Sequence, residues 1–138
     1  MDKDELIARV IELGLPTGQY CVVGRGPMVV RGLCEDSGID ILVTDDLYSV
    51  FYGRPGWEEA PHELGLSVLT NPPITLLREF GHDEYWQESD ALIADADVFD
   101  GVAFASLEEI AALKRALGSA KDHADLVLIS EYQDEQVD

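Results

Sequence analysis

The segment Tyr20 to Asp46, YCVVGRGPMVVRGLCEDSGIDILVTDD, constrains the chain more than any other. Tyr20 to Val23 is a short apolar run bounded by glycines, which fits a fully buried strand. Gly24-Arg25-Gly26-Pro27 must turn. The glycines allow positive φ or close backbone approach, and Pro27 suits the first position of a helix. Met28 to Leu33 then reads as a short helix, closed by Gly32 or the residues just after it. Ile39 to Val43 is a second apolar run with one acid, Asp40, near its start. A carboxylate in a strand that otherwise wants burial costs free energy unless it is paired, solvated or metal-bound. Asp40 is therefore the most informative single residue.

The flanking sequence supplies helices and further strands. Asp4 to Leu13 places Leu6, Val10 and Leu13 on one helical face, with Ile7 and Ile11 beside them. Gly14 and Pro16 end it. Thr44 or Asp45 can cap a helix whose inward residues are Leu47, Val50 and Phe51, with Gly53 as the stop. Gly53-Arg54-Pro55-Gly56 is a loop, and Trp57 beside it reads as a packing anchor. Leu64 to Thr70 and Ile74 to Arg78 form two strands around Asn71-Pro72-Pro73, because proline lacks the donor that a ladder needs. Residues 80–88 are polar and aromatic without a clear period. His82 with Asp83 and Glu84 has only generic metal spacing and reads as a loop histidine. Asp90 to Ala96 is a short helix. Val98-Phe99, Asp100-Gly101 and Val102 to Ala105 form a hairpin signal, since Asp-Gly suits a turn with positive φ. Ser106-Leu107-Glu108-Glu109 is a capping box opening a helix that Gly118 ends. Ala120 to Tyr132 is the last helix, with Ala124, Leu128 and Tyr132 in register.

Length and charge bound the function. The 138 residues leave room for one domain, 1–138, with a substantial core. No apolar run approaches the ~20 residues that span a bilayer. The N-terminus is acidic and amphipathic, unlike a signal peptide. Cys21 and Cys34 are too few for a disulfide framework and lack metal-site spacing, so cytoplasmic residence with free thiols is the expectation. The net charge is −19, from 28 acids and 9 basic residues. That argues against direct nucleic-acid binding, which needs a basic footprint, and against anionic membranes. An acid-rich, lysine-poor surface suits a salt-rich cytoplasm, where self-repulsion is screened.

The glycine turn followed by Asp40 resembles the core of the nucleotidyltransferase superfamily, in its small AbiEii-like branch. Gly24 falls on the motif glycine and Asp40 on the second of two strand acids that hold Mg²⁺ on a nucleoside triphosphate. Arg25 stands where that family has serine or glycine, and Gly38 where its first acid would be. SLEEIAALKRALGSAKDHADLVLI carries the resemblance further. Lys114 matches a helix lysine, Lys121-Asp122 a pair opening the final helix, and Asp125 a later acid. Ser119 stands in place of an arginine. The two matched segments cover about half the chain in the family's order.

The resemblance implies an α/β fold, a small mixed sheet flanked by helices. It implies a nucleotide-binding domain with impaired or lost transfer. Asp40 would be the surviving catalytic and metal residue, with Asp36 a possible second metal ligand before the strand. Gly24 and Gly26 would let the backbone approach phosphate, Arg25 would either contact phosphate directly or block the pocket, and Lys114, Lys121 and Asp122 would border the nucleotide. From the residues alone, Asp122 also suits a helix start through the macrodipole, Lys121 and Asp125 can pair on a solvated face, and Lys114 suits a helix C-terminus. A different class of function is a non-catalytic partner-binding module of the toxin–antitoxin type, and a third is a domain that only dimerises. An exposed patch at Trp57, Tyr85 and Trp86 would favour binding a protein partner.

The charge generates a first prediction. At molar salt the screening length falls to ~3 Å, so surface repulsion fades. Thermal melts from low to molar KCl should show a rising midpoint. A flat or falling midpoint would contradict salt adaptation.

Overall fold

A computed structural model describes residues 2–34, 38–61, 67–82 and 85–136. The chain is a mixed α/β protein built on an open sheet of seven strands. In chain order the elements begin with α1 (Lys3–Glu12), β1 (Tyr20–Val23), α2 (Gly26–Val30), β2 (Ile39–Val43) and α3 (Asp45–Phe51). Next come β3 (Glu58–Pro61), β4 (Ser67–Asn71), β5 (Ile74–Leu77), β6 (Glu79–His82) and β7 (Tyr85–Glu88). The last third holds α4 (Ser89–Ala94), β8 (Asp97–Phe99), β9 (Val102–Phe104), α5 (Leu107–Leu117) and α6 (Ala120–Gln136).

The main sheet runs β3-β4-β5-β2-β1-β9-β8, and β6 pairs with β7 apart from it. Strands β1 and β2 are antiparallel, with Val23 opposite Asp40. β2 pairs in parallel with β5, and β1 in parallel with β9. Strands buried on both faces need no alternation, and all four residues of β1 are buried. α4 packs on β1 and β2, and α2 packs on β1, α1 and α5. Among the described residues no helix is long and apolar enough to cross a membrane.

Local chemistry explains where the elements stop. Asp2 accepts a hydrogen bond from Glu5 N at 2.9 Å and opens α1. Thr44, rather than Asp45, caps α3 by accepting from Leu47 N. Ser106 accepts from Glu109 N and opens α5, and Gly118 closes it at φ 67°. α2 opens two residues before Met28, with Pro27 in its first turn, and Gly32 at φ 79° stops it as expected. Leu33 N donates to Met28 O and Gly32 N to Val29 O, the bond pair of a Schellman stop. Asp100 and Gly101 both have positive φ, as a two-residue hairpin turn with the strand twist requires.

Several faces differ from the periodic reading. Val50 is 53% exposed, and Tyr48 takes the inward place on α3. Ile11 is exposed on α1. Ala124 is exposed on α6, whose buried residues are Asp125 and Ile129. Leu128 and Tyr132 pack against the core as their period predicts, but a buried aspartate does not register as an apolar position, so Asp125 joins the inward face in place of Ala124. β3 has the sequence EEAP and no apolar period. It forms because β4 offers it a ladder, Glu58 opposite Thr70. Trp57 packs edge-on against Phe51, with centroids 5.0 Å apart, in the anchoring role expected of it. The start of the strand expected from Leu64, the Asp83–Glu84 pair, and the side chains of His82, Tyr85 and Trp86 lie outside the described residues.

Arg31 holds the far end of α2. Its guanidinium meets Asp97 at 2.6 Å, donates to Pro27 O at 2.8 Å and lies over the Phe99 ring. Phe99 in turn packs edge-on against the fully buried Phe104. A Cβ on Gly26 would reach within 3.9 Å of Phe104, so this ring lies beneath the start of α2. Phe104→Ala should cost about 3–5 kcal/mol through lost transfer energy and a cavity. Urea unfolding monitored by circular dichroism measures this. A loss under ~1 kcal/mol would show that the ring does not support the turn.

Candidate functional site

The turn after β1 is fixed by backbone conformation and by a close approach. Gly24 has φ 68°, a region that L side chains enter at a cost. A Cβ built on it would lie 2.7 Å from Asp40 Oδ2. The Asp40 carboxylate therefore rests against the turn, as the antiparallel pairing of β1 with β2 dictates. Gly26 is required for a different reason. Its Cβ would meet Val22 Cγ1 at 2.6 Å, so the missing side chain lets α2 close onto β1. That packing role accounts for Gly26 without a ligand.

Arg25 leaves the turn toward the C-terminal helices. Its Nη2 lies 3.2 Å from Asp125 Oδ1. The other oxygen of that carboxylate, Oδ2, accepts from Lys114 Nζ at 2.8 Å. Lys114 Nζ also stands 3.8 Å from Asp122 Oδ1. Asp125 is 3% exposed and Lys114 8%, and among the described residues these two are the buried charged side chains. The structure thus brings Arg25, Lys114, Asp122 and Asp125 into one ionic network beside the turn that Asp40 touches.

Two of the sequence readings change here. Asp125 does not pair with Lys121 on a solvated face; it is buried and held by Arg25 and Lys114. Lys121 is exposed at the start of α6. Lys114 does not owe its place to the end of α5 alone, because its acids come from the next helix. Asp122 has a double role. Its Oδ2 accepts from Ser119 Oγ at 2.5 Å and from Ser119 N at 3.2 Å, while Asp122 N donates to Ser119 Oγ at 3.1 Å. This is a reciprocal box at the start of α6. Its signal, serine followed three residues later by an acid, is present in Ser119 to Asp122.

Cys34 lies at the margin of the network. Burial pushes its thiol up, while Arg25, Lys114 and Lys121 oppose that rise. Cys21 is more deeply buried, and its thiol is pushed up to about 12. Neither cysteine forms a disulfide with a described residue.

Among the described residues, no group of three or more His, Cys, Asp or Glu side chains could hold a metal ion. Asp36, the second expected ligand, lies outside those residues. A Mg²⁺ that arrives on phosphates needs only one or two carboxylates, because phosphate oxygens and water complete its shell. Asp40, the other expected ligand, is among the described residues and lies against the turn at Gly24. No protein-family model, no curated protein and no solved structure matches the chain.

The fit at Gly24 is open to test. Gly24→Ala should cost about 1–3 kcal/mol, from positive φ and from the clash with Asp40. Asp40→Ala in the same chain should recover the steric part and leave the φ part. Equilibrium unfolding of the two variants measures both. An alanine tolerated without loss would contradict the close approach.

Proposed function

We propose that the chain is a nucleotidyltransferase-like domain that binds a nucleoside triphosphate with its Mg²⁺ and transfers poorly or not at all. The observation that carries this reading is the position of the Asp40 carboxylate against the Gly24 turn. A carboxylate there could hold a cation that arrives with phosphates. Lys121, exposed at the start of α6, adds a point charge for phosphate. When bound, Mg²⁺ would offset charge on the phosphates, and Asp40 would orient it.

Weak transfer follows from the count of anionic ligands. Gly38 has no side chain, and one carboxylate positions a hydrated Mg²⁺ poorly. A Cβ on Gly38 would meet no described atom within 4 Å, so the position has space for a side chain to begin. A second reading is a partner-binding module without catalysis. It is favoured by the pairing of Arg25 and Lys114 with Asp125, which occupies two cations that a nucleotide would otherwise meet.

Calorimetric titration with ATP, GTP, CTP and UTP in the presence of Mg²⁺ separates the two. Binding of one of them, weakened by Asp40→Asn, is the expected result. Gly38→Asp should fold with an unchanged melting midpoint and strengthen Mg²⁺-dependent binding by roughly tenfold, the effect of about 1.4 kcal/mol. Silence from all four nucleotides, with Gly38→Asp equally silent, would overturn the nucleotide reading in favour of the partner-binding module.

A further inference from the structure

We infer that Asp125 is an internal competitor for phosphate, a carboxylate that keeps the proposed nucleotide site in a self-neutralised state. The inference rests on the nucleotide reading for its biological meaning, but its geometry stands apart from it. Each oxygen of Asp125 is engaged by a different cation, Oδ1 by Arg25 and Oδ2 by Lys114. Those two cations come from the turn after β1 and from α5, and they converge on one planar anion. A guanidinium beside an ammonium is also a donor set suited to a phosphate group.

The two cations are not equally committed. Lys114 is buried and has a second acid, Asp122, at 3.8 Å. Arg25 keeps 32% of its side chain exposed. Its Nε is buried and has no hydrogen-bond partner among the described residues. Arg25 is therefore the member that can exchange Asp125 for an incoming anion, while Lys114 stays with the aspartates. Phosphate binding at the turn must break the Arg25–Asp125 bond, and that cost lowers apparent affinity. A carboxylate that occupies the binding group reduces affinity by the fraction of molecules in which the group is released.

The direct test uses inorganic tripolyphosphate as the probe and removes the competitor without changing net charge. Lys114→Met with Asp125→Asn deletes one cation and one anion, so the total stays at its original value. Replacing both members of a buried pair is far better tolerated than removing one. Arg25 is left without its carboxylate. At fixed ionic strength, this double variant should bind tripolyphosphate about tenfold or more tighter than the parent protein. Adding Arg25→Met to it should abolish the gain. The single variant Asp125→Asn should show a gain as well, whereas Glu58→Gln, the same charge change on the remote strand β3, should not. Unchanged or weaker tripolyphosphate binding by a folded double variant would overturn the inference. Should the double variant not fold, as judged by circular dichroism, Arg25→Met in the parent decides. The competitor account expects it to lower the already weak tripolyphosphate affinity, and an unchanged affinity would overturn it. A gain in tripolyphosphate binding without nucleotide binding would leave the competitor standing and remove the nucleotide reading. Nucleotide binding by the parent with no gain in the double variant would do the reverse.

Discussion

Taking the Asp125 carboxylate out of water costs several kcal/mol unless its oxygens find donors. In this chain both do, and the donors come from distant parts of the sequence. Arg25 precedes Asp125 by 100 positions, and Lys114 by 11. The pair of helices α5 and α6 is thereby tied to the turn between β1 and α2 by charge as well as by apolar packing. Buried pairs of this kind contribute little net stability compared with an apolar isostere, but they penalise any arrangement that leaves one charge alone. The network accordingly acts on which packing is adopted more than on how stable it is. Salt separates it from the rest of the electrostatics. Surface repulsion among the many exposed acids is screened, whereas a desolvated pair is screened much less.

The chemistry of the site depends on a second fit, the contact of Asp40 with Gly24. Antiparallel pairing places Asp40 opposite Val23, the last residue before the turn. Positive φ at Gly24 then bends the chain over the carboxylate. Neither a different register nor a residue with a Cβ at 24 would give the same contact. Packing sets the turn from beneath, because Gly26 lies on Val22 and above Phe104. A core of buried apolar side chains thus fixes the position of a polar group at its margin. The same turn also directs Arg25 to Asp125, so the acid in the strand and the ionic network share one support.

Much of this was legible in the sequence, and the parts that were not have physical causes. β1 and β2 were readable because short apolar runs between glycines have few alternatives. The Asp100-Gly101 hairpin and the Ser106 cap were readable because their chemistry is local. The start of α2 was placed two residues late, because the helix opens on Gly26 and Pro27, before the apolar run begins. β3 was not readable, because its residues gain a strand only from the neighbour β4. The inward face of α6 was legible at Leu128 and Tyr132 but not at its most buried charge, for the reason most relevant to function. Asp125 takes a core position, and a charged core residue looks like a surface one until its partners are known. The candidate residues Gly24, Asp40, Arg25, Lys114 and Asp122 could be picked out singly. Their association through Asp125 could not, because nothing local in Arg25 or Lys114 signals a partner on another element.

The tie between Arg25 and Asp125 is the claim on which the rest depends, and a double-mutant cycle tests it directly. Arg25→Met, Asp125→Asn and the combined variant would be compared with the parent by equilibrium unfolding. Residues in contact through a buried ionic network show coupling of about 0.5–3 kcal/mol, and distant residues add within ~0.5 kcal/mol. The account predicts coupling of at least about 1 kcal/mol, with the second substitution costing much less once the first is made. Strict additivity of the two would contradict it.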